Sequence, residues 1–257
     1  MSQVKETLHN TLTQQDFSQE NDTFSDIEKY KWMAKTYATI ENAIAVLSDL
    51  KEDKSYIYHG ALATELGLES NQRNEIESIW EEDIFAKMHP EDLLEKHVLE
   101  LQFFQFLKKI PIENRHHYYT TCRIRMQNHT GKLVWVQHRM YYVANFSNSI
   151  WLALCLYNIL PEKLFLDNYP GQIVHSFSGI ATIPNPSQQT SILSLREIEV
   201  LQLIRQGKLS KEVAQQLSIS INTVNRHRQN ILEKLRVDNS IEACRVAEKM
   251  QLINHEF

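Results

Sequence analysis

The chain has 257 residues, a formal net charge of −5 and three cysteines. That length holds one large domain or two ordinary ones, and Cys122, Cys155 and Cys244 are too scattered for a disulfide framework or a structural zinc site. The start, MSQVKETLHNTLTQQDF, lacks the apolar core of a signal peptide, and the longest apolar run, Ile150 to Leu156, falls well short of the about 20 residues that span a bilayer. A soluble, cytoplasmic protein without membrane contact is expected.

In chain order, residues 1–24 are polar and poor in large apolar groups, and read as a flexible arm. Ser25 and Glu28 form a capping box, and a helix is expected over residues 25–50, with Tyr30, Met33, Ala34, Tyr37, Ile40 or Glu41, Ile44 and Leu47 on one face. Ser55 to Leu68 begins as a strand and turns into a short helix. Glu69 to Arg73 is polar loop. Ile76, Ile79, Trp80, Ile84 and Phe85 recur at helical spacing between Glu75 and Met88. His89-Pro90-Glu91-Asp92 breaks that pattern, and Pro90 suits the first position of a longer helix, Glu91 to Lys109, that Pro111 ends.

From His117 the period changes. Tyr119 to Met126, Leu133 to Val143 and Ser149 to Tyr157 are rich in β-branched and aromatic residues, with turn clusters at Asn128 to Gly131 and Asn145 to Asn148. The simplest arrangement is a three-stranded antiparallel meander with Cys122, Ile124 and Met126 on one face. Residues 166–190 contain Pro170-Gly171, Pro184 and Pro186 and read as a linker, although Gly171 to Ile183 carries enough apolar residues to dock as an extra strand.

The remaining residues, 191–257, read as four short helices. Ser194 and Glu197 form a capping box, and Gly207 stops the first helix. Ser210 is placed to cap a second, and Ser220 a third, over about Ile221 to Leu235. Val224, Ile231 and Leu235 share one stripe of that third helix; Asn222, Asn225, Arg226, Gln229 and Asn230 occupy the opposite face. A merely solvated face would be rich in Glu and Lys. Asn, Gln and Arg are instead the side chains that bond bidentately to adenine and guanine edges. From Ile221 to Arg236 four basic residues face one acidic one, a net +3, whereas residues 191–257 as a whole carry +2 and the rest of the chain −7. Charge read by domain therefore permits nucleic acid where the total does not. The pattern is a helix-turn-helix with a recognition helix.

Leu193 to Glu197, Ser210 to Leu217, Ile219 to Val224, His227 to Ile231 and Lys234-Leu235 together resemble the DNA-binding domain of the LuxR/NarL/FixJ class of bacterial transcription factors. Asn225 departs from the lysine common there. The geometry of such a helix sends Asn225, Arg226 and Gln229 to base edges, and Lys211, Thr223, Arg228 and Lys234 to phosphates. The resemblance implies pairing through the last helix, hence a homodimer on double-stranded DNA. Met88 to Asp92 before the long helix, and Gly131 to Val136 at the start of a late strand, are similar to a PAS sensor domain over residues 51–165.

The fold expected is α+β, a PAS-like antiparallel sheet with helices followed by an all-α four-helix domain. No cofactor or metal is expected: His116 and His117 point apart on a strand, and His129 and His138 have no supporting carboxylate or cysteine spacing. The aromatics Phe103, Phe104, Phe106, Trp135, Tyr141 and Trp151 read as core. No Ser/His/Asp, Cys/His or paired-carboxylate constellation points to an enzyme, and Glu81-Glu82-Asp83 lacks the parallel βα surroundings of a phosphoryl-accepting receiver. A small-molecule ligand of the sensor and RNA polymerase are further candidate partners. The other reading is a non-enzymatic interaction protein whose helix-turn-helix contacts RNA polymerase or another regulator; the mixed Asn/Arg/Gln face argues against it.

Overall fold

A computed structural model describes residues 3–17, 27–68, 74–146, 148–160, 171–184, 193–235, 237–249 and 252–253. Backbone contacts divide the chain into two compact units, one of Leu8–Pro184, the other of Asn185–Phe257 together with Met1–Thr7. No helix among the described residues is long and apolar enough to cross a membrane.

The larger unit is built on an antiparallel sheet of order β3-β2-β1-β6-β5-β4-β7-β8. Its strands are β1 (Ile44–Asp49), β2 (Lys54–His59), β3 (Glu75–Ile76), β4 (Tyr118–Gln127), β5 (Leu133–Phe146), β6 (Ser149–Ile159), β7 (Gln172–His175) and β8 (Ala181–Thr182). The expected meander is β4-β5-β6, with Cys122 opposite His138 and Met140 opposite Cys155. Cys122, Ile124 and Met126 share a buried face, as their alternation requires.

Both faces of the sheet are covered. Helix α2 (Ile27–Ile40) lays Ala34 and Ala38 against Ala45, Leu47, Leu152 and Leu156 on one side. On the other, α3 (Ala61–Glu65), α4 (Glu82–Phe85) and α5 (Pro90–Leu107) close a core with Val46, Ile124, Met126 and Tyr157. Trp135, expected in the core, is 36% exposed instead.

Four expectations need correction. Residues 1–24 do not form an unstructured arm throughout. Gln3–Thr13 is helix α1, because Val4, Leu8 and Leu12 recur every fourth residue and all three are buried. Gln15 then fixes the chain to β6, donating to the Ile150 carbonyl and accepting from its N–H, both at 2.9 Å. The helix expected over residues 25–50 stops at Ile40, and Ile44–Asp49 is a strand. Every residue of β1 is buried, so its run lacks the alternation that marks a strand. Ser25 of the expected capping box lies outside the described residues.

Between Glu75 and Met88 only Glu82–Phe85 is α-helical. Ile79 and Trp80 are buried, but their N–H groups donate to Asp53 and to the Ser78 hydroxyl at 3.0 Å rather than along a helix. The linker of residues 166–190, lastly, contains β7 and β8, with β7 paired along the edge of β4; the extra strand read into residues 171–183 is thus present.

Two local features hold the unit in shape. Pro90 opens α5 with His89 as its N-cap, and Asp92 in the first turn receives the Arg125 side chain through Nε at 2.9 Å and a terminal nitrogen at 2.6 Å. The Arg125 backbone N–H adds a third bond at 2.7 Å, and Glu91 accepts a further one at 3.1 Å. This bidentate pair fastens the helix to β4, and it accounts for the His-Pro-Glu-Asp sequence. Gly60 joins β2 to α3 where backbones nearly touch: a Cβ there would lie 2.5 Å from the Ala38 carbonyl oxygen and 2.6 Å from the Ala43 nitrogen. Both obstacles are backbone atoms and cannot swing aside. Gly60→Ala is therefore expected to destabilise the larger unit by about 3 kcal/mol, at the upper end of overpacking costs, measured by denaturant unfolding; an unchanged midpoint would contradict this contact.

Candidate functional site

The smaller unit carries α6 (Leu195–Arg205), α7 (Ser210–Gln216), α8 (Ile221–Leu235) and α9 (Ser240–Lys249). The Ser194 hydroxyl accepts from the Glu197 N–H at 3.2 Å, and Glu197 Oε2 accepts from the Ser194 N–H at 2.7 Å, completing the expected capping box. Gly207, at φ +80°, ends α6, and Ser218, at φ 55°, turns the chain between α7 and α8. The Ser220 hydroxyl caps α8 by accepting from the Thr223 N–H at 3.1 Å. Val224, Ile231 and Leu235 are buried, and the complementary face of α8 is left outward.

On that face Asn225, Arg226 and Gln229 are exposed, as is Lys211 in the first turn of α7. The other three residues expected at phosphates are differently placed. Thr223 shares a hydrogen bond with Ser220 through its hydroxyl at 2.8 Å. Arg228 is half-buried and donates to the hydroxyls of Ser210 at 2.9 Å and Ser240 at 3.0 Å, which clamps the starts of α7 and α9 to α8. Lys234 donates to Glu197 Oε2 at 2.7 Å. Ser210, expected to cap α7, is instead its first residue behind Leu209, whose N–H is taken by Glu212 at 2.7 Å; the serine hydroxyl faces Arg228.

Glu197 is the residue that spacing did not reveal in full. It is 2% exposed, caps its own helix and pairs with Lys234 near the end of α8. The capping-box sequence announced the first role; the second joins residues that no local pattern connects. Burial works against its ionisation, but the Lys234 ammonium and the Ser194 groups prevail and hold the carboxyl below its ordinary value. Arg196 adds a tie by donating to the Leu217 carbonyl at 2.6 Å, and Arg205 pairs with Glu248 on α9.

The larger unit offers a cavity of about 550 Å³. Ile57, Leu68, Ile76 and Trp80 give it an apolar wall, with His59 and Glu81 among its polar groups. Both ring nitrogens of His59 are buried without a hydrogen-bond partner, and burial lowers its pKa. Glu77, Glu82 and Asp83 also line it, so the recess has an apolar wall facing an acidic one.

Residues 191–247 match the profile of the bacterial regulatory proteins of the luxR family. They form a LuxR-family regulatory domain. The chain is 40% identical over 77 residues to the transcriptional regulatory protein LiaR of Bacillus subtilis, and 39% over 69 residues to the oxygen regulatory protein NreC of Staphylococcus aureus. These alignments take in 30% and 27% of this chain and 34% and 32% of those proteins. It is 48% identical over 58 residues to the uncharacterized response regulatory protein YgeK of Escherichia coli, with 23% and 40% covered. The chain thus spans well under half the length of each relative. Among solved structures, phage VqmA in complex with DPO overlays 88% of this chain and 91% of its own, with a TM-score of 0.33 at 12% identity. Escherichia coli SdiA overlays 98% of both with a TM-score of 0.25 at 14% identity. Overlays that loose carry no argument about the larger unit.

Within the LuxR-type domain, Glu197→Gln should cost about 1–2 kcal/mol at neutral pH, the range for a lost cap and a charged hydrogen bond. A carboxyl held low in the folded state stabilises above its unfolded value of about 4.3 and loses that contribution as pH falls through the lower folded value. The gap between wild type and variant should therefore close in acid, as read by hydrogen exchange of α6 and α8; a pH-independent gap would contradict the pairing.

Proposed function

We propose that this protein is a bacterial sequence-specific DNA-binding transcriptional regulator, a homodimer whose DNA binding is controlled by a PAS-like sensory unit. The observation that carries the reading is the outward face of α8, where Asn225, Arg226 and Gln229 stand exposed on a LuxR-type domain. Inserted in a major groove, these three reach base edges, with arginine suited to guanine and the amides to adenine. Lys211 and Thr223 lie at the starts of α7 and α8, where backbone N–H groups also favour phosphate. Arg228 and Lys234 act chiefly by holding α8 in place, and any phosphate contact by them is made from the edges of those clamps. A dimer would read two half-sites about one DNA turn apart.

The PAS-like reading of the larger unit draws support from the β4-β5-β6 meander, from the long helix that the His-Pro-Glu-Asp segment starts, and from the cavity beside Trp80 and Glu81. A small molecule held there controls DNA binding only through unequal affinity for the paired and unpaired arrangements of the DNA-binding domains. The decisive experiment is selection from a random DNA pool by the full chain and by residues 187–257, at low and moderate salt. A two-fold symmetric site that survives moderate salt is expected. Weak, salt-sensitive binding without a consensus would overturn sequence-specific recognition, and equal affinity of both chains under every condition would overturn control by the larger unit.

Arg226→Ala should weaken binding by about 1–3 kcal/mol and relax base preference at one position, whereas Lys211→Ala should weaken all sequences alike and lower the salt dependence by about one unit of slope. Equal loss without any change of preference in both variants would reverse the assignment of roles.

A further inference from the structure

Beneath α5 the inner face of the sheet is polar where a core is ordinarily apolar. Lys96 and Glu100, one turn apart on the helix, are 2% and 4% exposed and paired at 2.8 Å. Facing them are His138 on β5 and Cys155 on β6, both buried. One ligand-type atom from each of Glu100, His138 and Cys155 lies within 4.8 Å of the other two, and Glu100 Oε1 stands 3.8 Å from His138 Nε2. That ring is fully buried, yet its Nε2 has no hydrogen-bond partner, and a buried polar atom left so is costly.

The other ring nitrogen, Nδ1, lies 3.7 Å from Cys122 Sγ. With the ring proton on Nδ1 and directed at that sulfur, Nε2 presents a lone pair towards Glu100 and Cys155. We propose that Glu100, His138 and Cys155 form a binding site for a divalent transition-metal ion of the zinc class.

The donor set, one carboxylate, one imidazole and one thiol, suits such an ion. Zinc–ligand bonds of 2.0–2.3 Å at tetrahedral angles set ligand atoms about 3.3–3.6 Å apart. The carboxylate–imidazole edge is nearly there, and the widest edge closes by about an ångström. Charge also balances. Lys96 interacts with both Glu100 and buried Glu81; burial opposes ionisation of Glu100 and a bound cation favours it, so in the filled site the lysine and the two carboxylates together contribute one net negative charge. The divalent ion adds two positive charges, and Cys155 gives up its proton to solvent as the metal–sulfur bond forms, leaving the filled site neutral. His89, Glu91 and Asp92 form a second close group, but there each member already hydrogen-bonds to Arg125, and none offers a buried nitrogen without a partner as His138 does.

The test uses the reduced full-length chain, stripped with chelator and titrated with Co²⁺, then with Zn²⁺ as competitor. One equivalent per chain should bind, with thiolate-to-cobalt charge-transfer absorption in the near ultraviolet that zinc abolishes. Cys155→Ser should remove that band, with Cys155→Ala as a second variant that keeps the apolar packing of the strand. His138→Gln should weaken binding at least tenfold, and Cys244→Ser should leave band and affinity intact. Failure of the wild-type chain to take up stoichiometric metal, or a band that persists without Cys155, overturns the site. Neither readout involves DNA, so this outcome is independent of the regulatory reading.

Discussion

The outward face of α8 is useful only if the helix is held at a fixed angle and rotation, and the contact that does this is the buried carboxylate of Glu197. One oxygen, Oε2, accepts from the Ser194 N–H at the start of α6 and from the Lys234 ammonium near the end of α8, both at 2.7 Å. An apolar stripe alone fixes rotation loosely, since Val224, Ile231 and Leu235 would tolerate small slides. A charged hydrogen bond with a narrow distance range does not tolerate them. Arg228 repeats the principle with Ser210 and Ser240. Two cations that sequence reading sent towards phosphates thus also build the platform from which Asn225, Arg226 and Gln229 are presented.

The larger unit solves a different problem, that of covering a sheet on both sides. Small residues, Ala34 and Ala38 against Ala45, let α2 approach one face closely. The opposite face needs several helical pieces and the Arg125–Asp92 pair to anchor the longest of them. Removing Arg125 would strand the buried Asp92 and Glu91 carboxylates, and such losses run to several kcal/mol.

The LuxR-type domain was almost wholly legible in the sequence because its signals are local: a capping box, glycine or positive-φ turns, and one apolar stripe per helix. The meander and α5 were legible for the same reason, through alternation, turn clusters and Pro90. Apart from α1, whose Val4, Leu8 and Leu12 repeat is local, what escaped was non-local. The buried run at Ile44–Asp49 has neighbours on both faces, so it continued the apparent period of α2. Ile79 and Trp80 are spaced as on a helix, but Asp53 and Ser78 claim their amides. In the LuxR-type domain, Asn225, Arg226, Gln229 and Lys211 are exposed, whereas Lys234 and Arg228 have partners that only tertiary structure supplies. The grouping of Glu100, His138 and Cys155 likewise joins three elements and leaves no trace in spacing.

The sheet order has a consequence for how the chain acquires its structure. β1 pairs with β2 on one side, its near neighbour in sequence, but on the other with β6, which follows nearly all of the larger unit. Closing so long a loop must precede the contacts that reward it, so this unit is expected to fold slowly and as a whole. During synthesis the apolar Ile44–Leu47 segment would have to wait, half-paired, for Leu154 and Leu156 to emerge. The four helices of the LuxR-type domain all lie between Leu195 and Lys249, so even the contacts of α6 with α8 and α9 close shorter loops and can form sooner once synthesised.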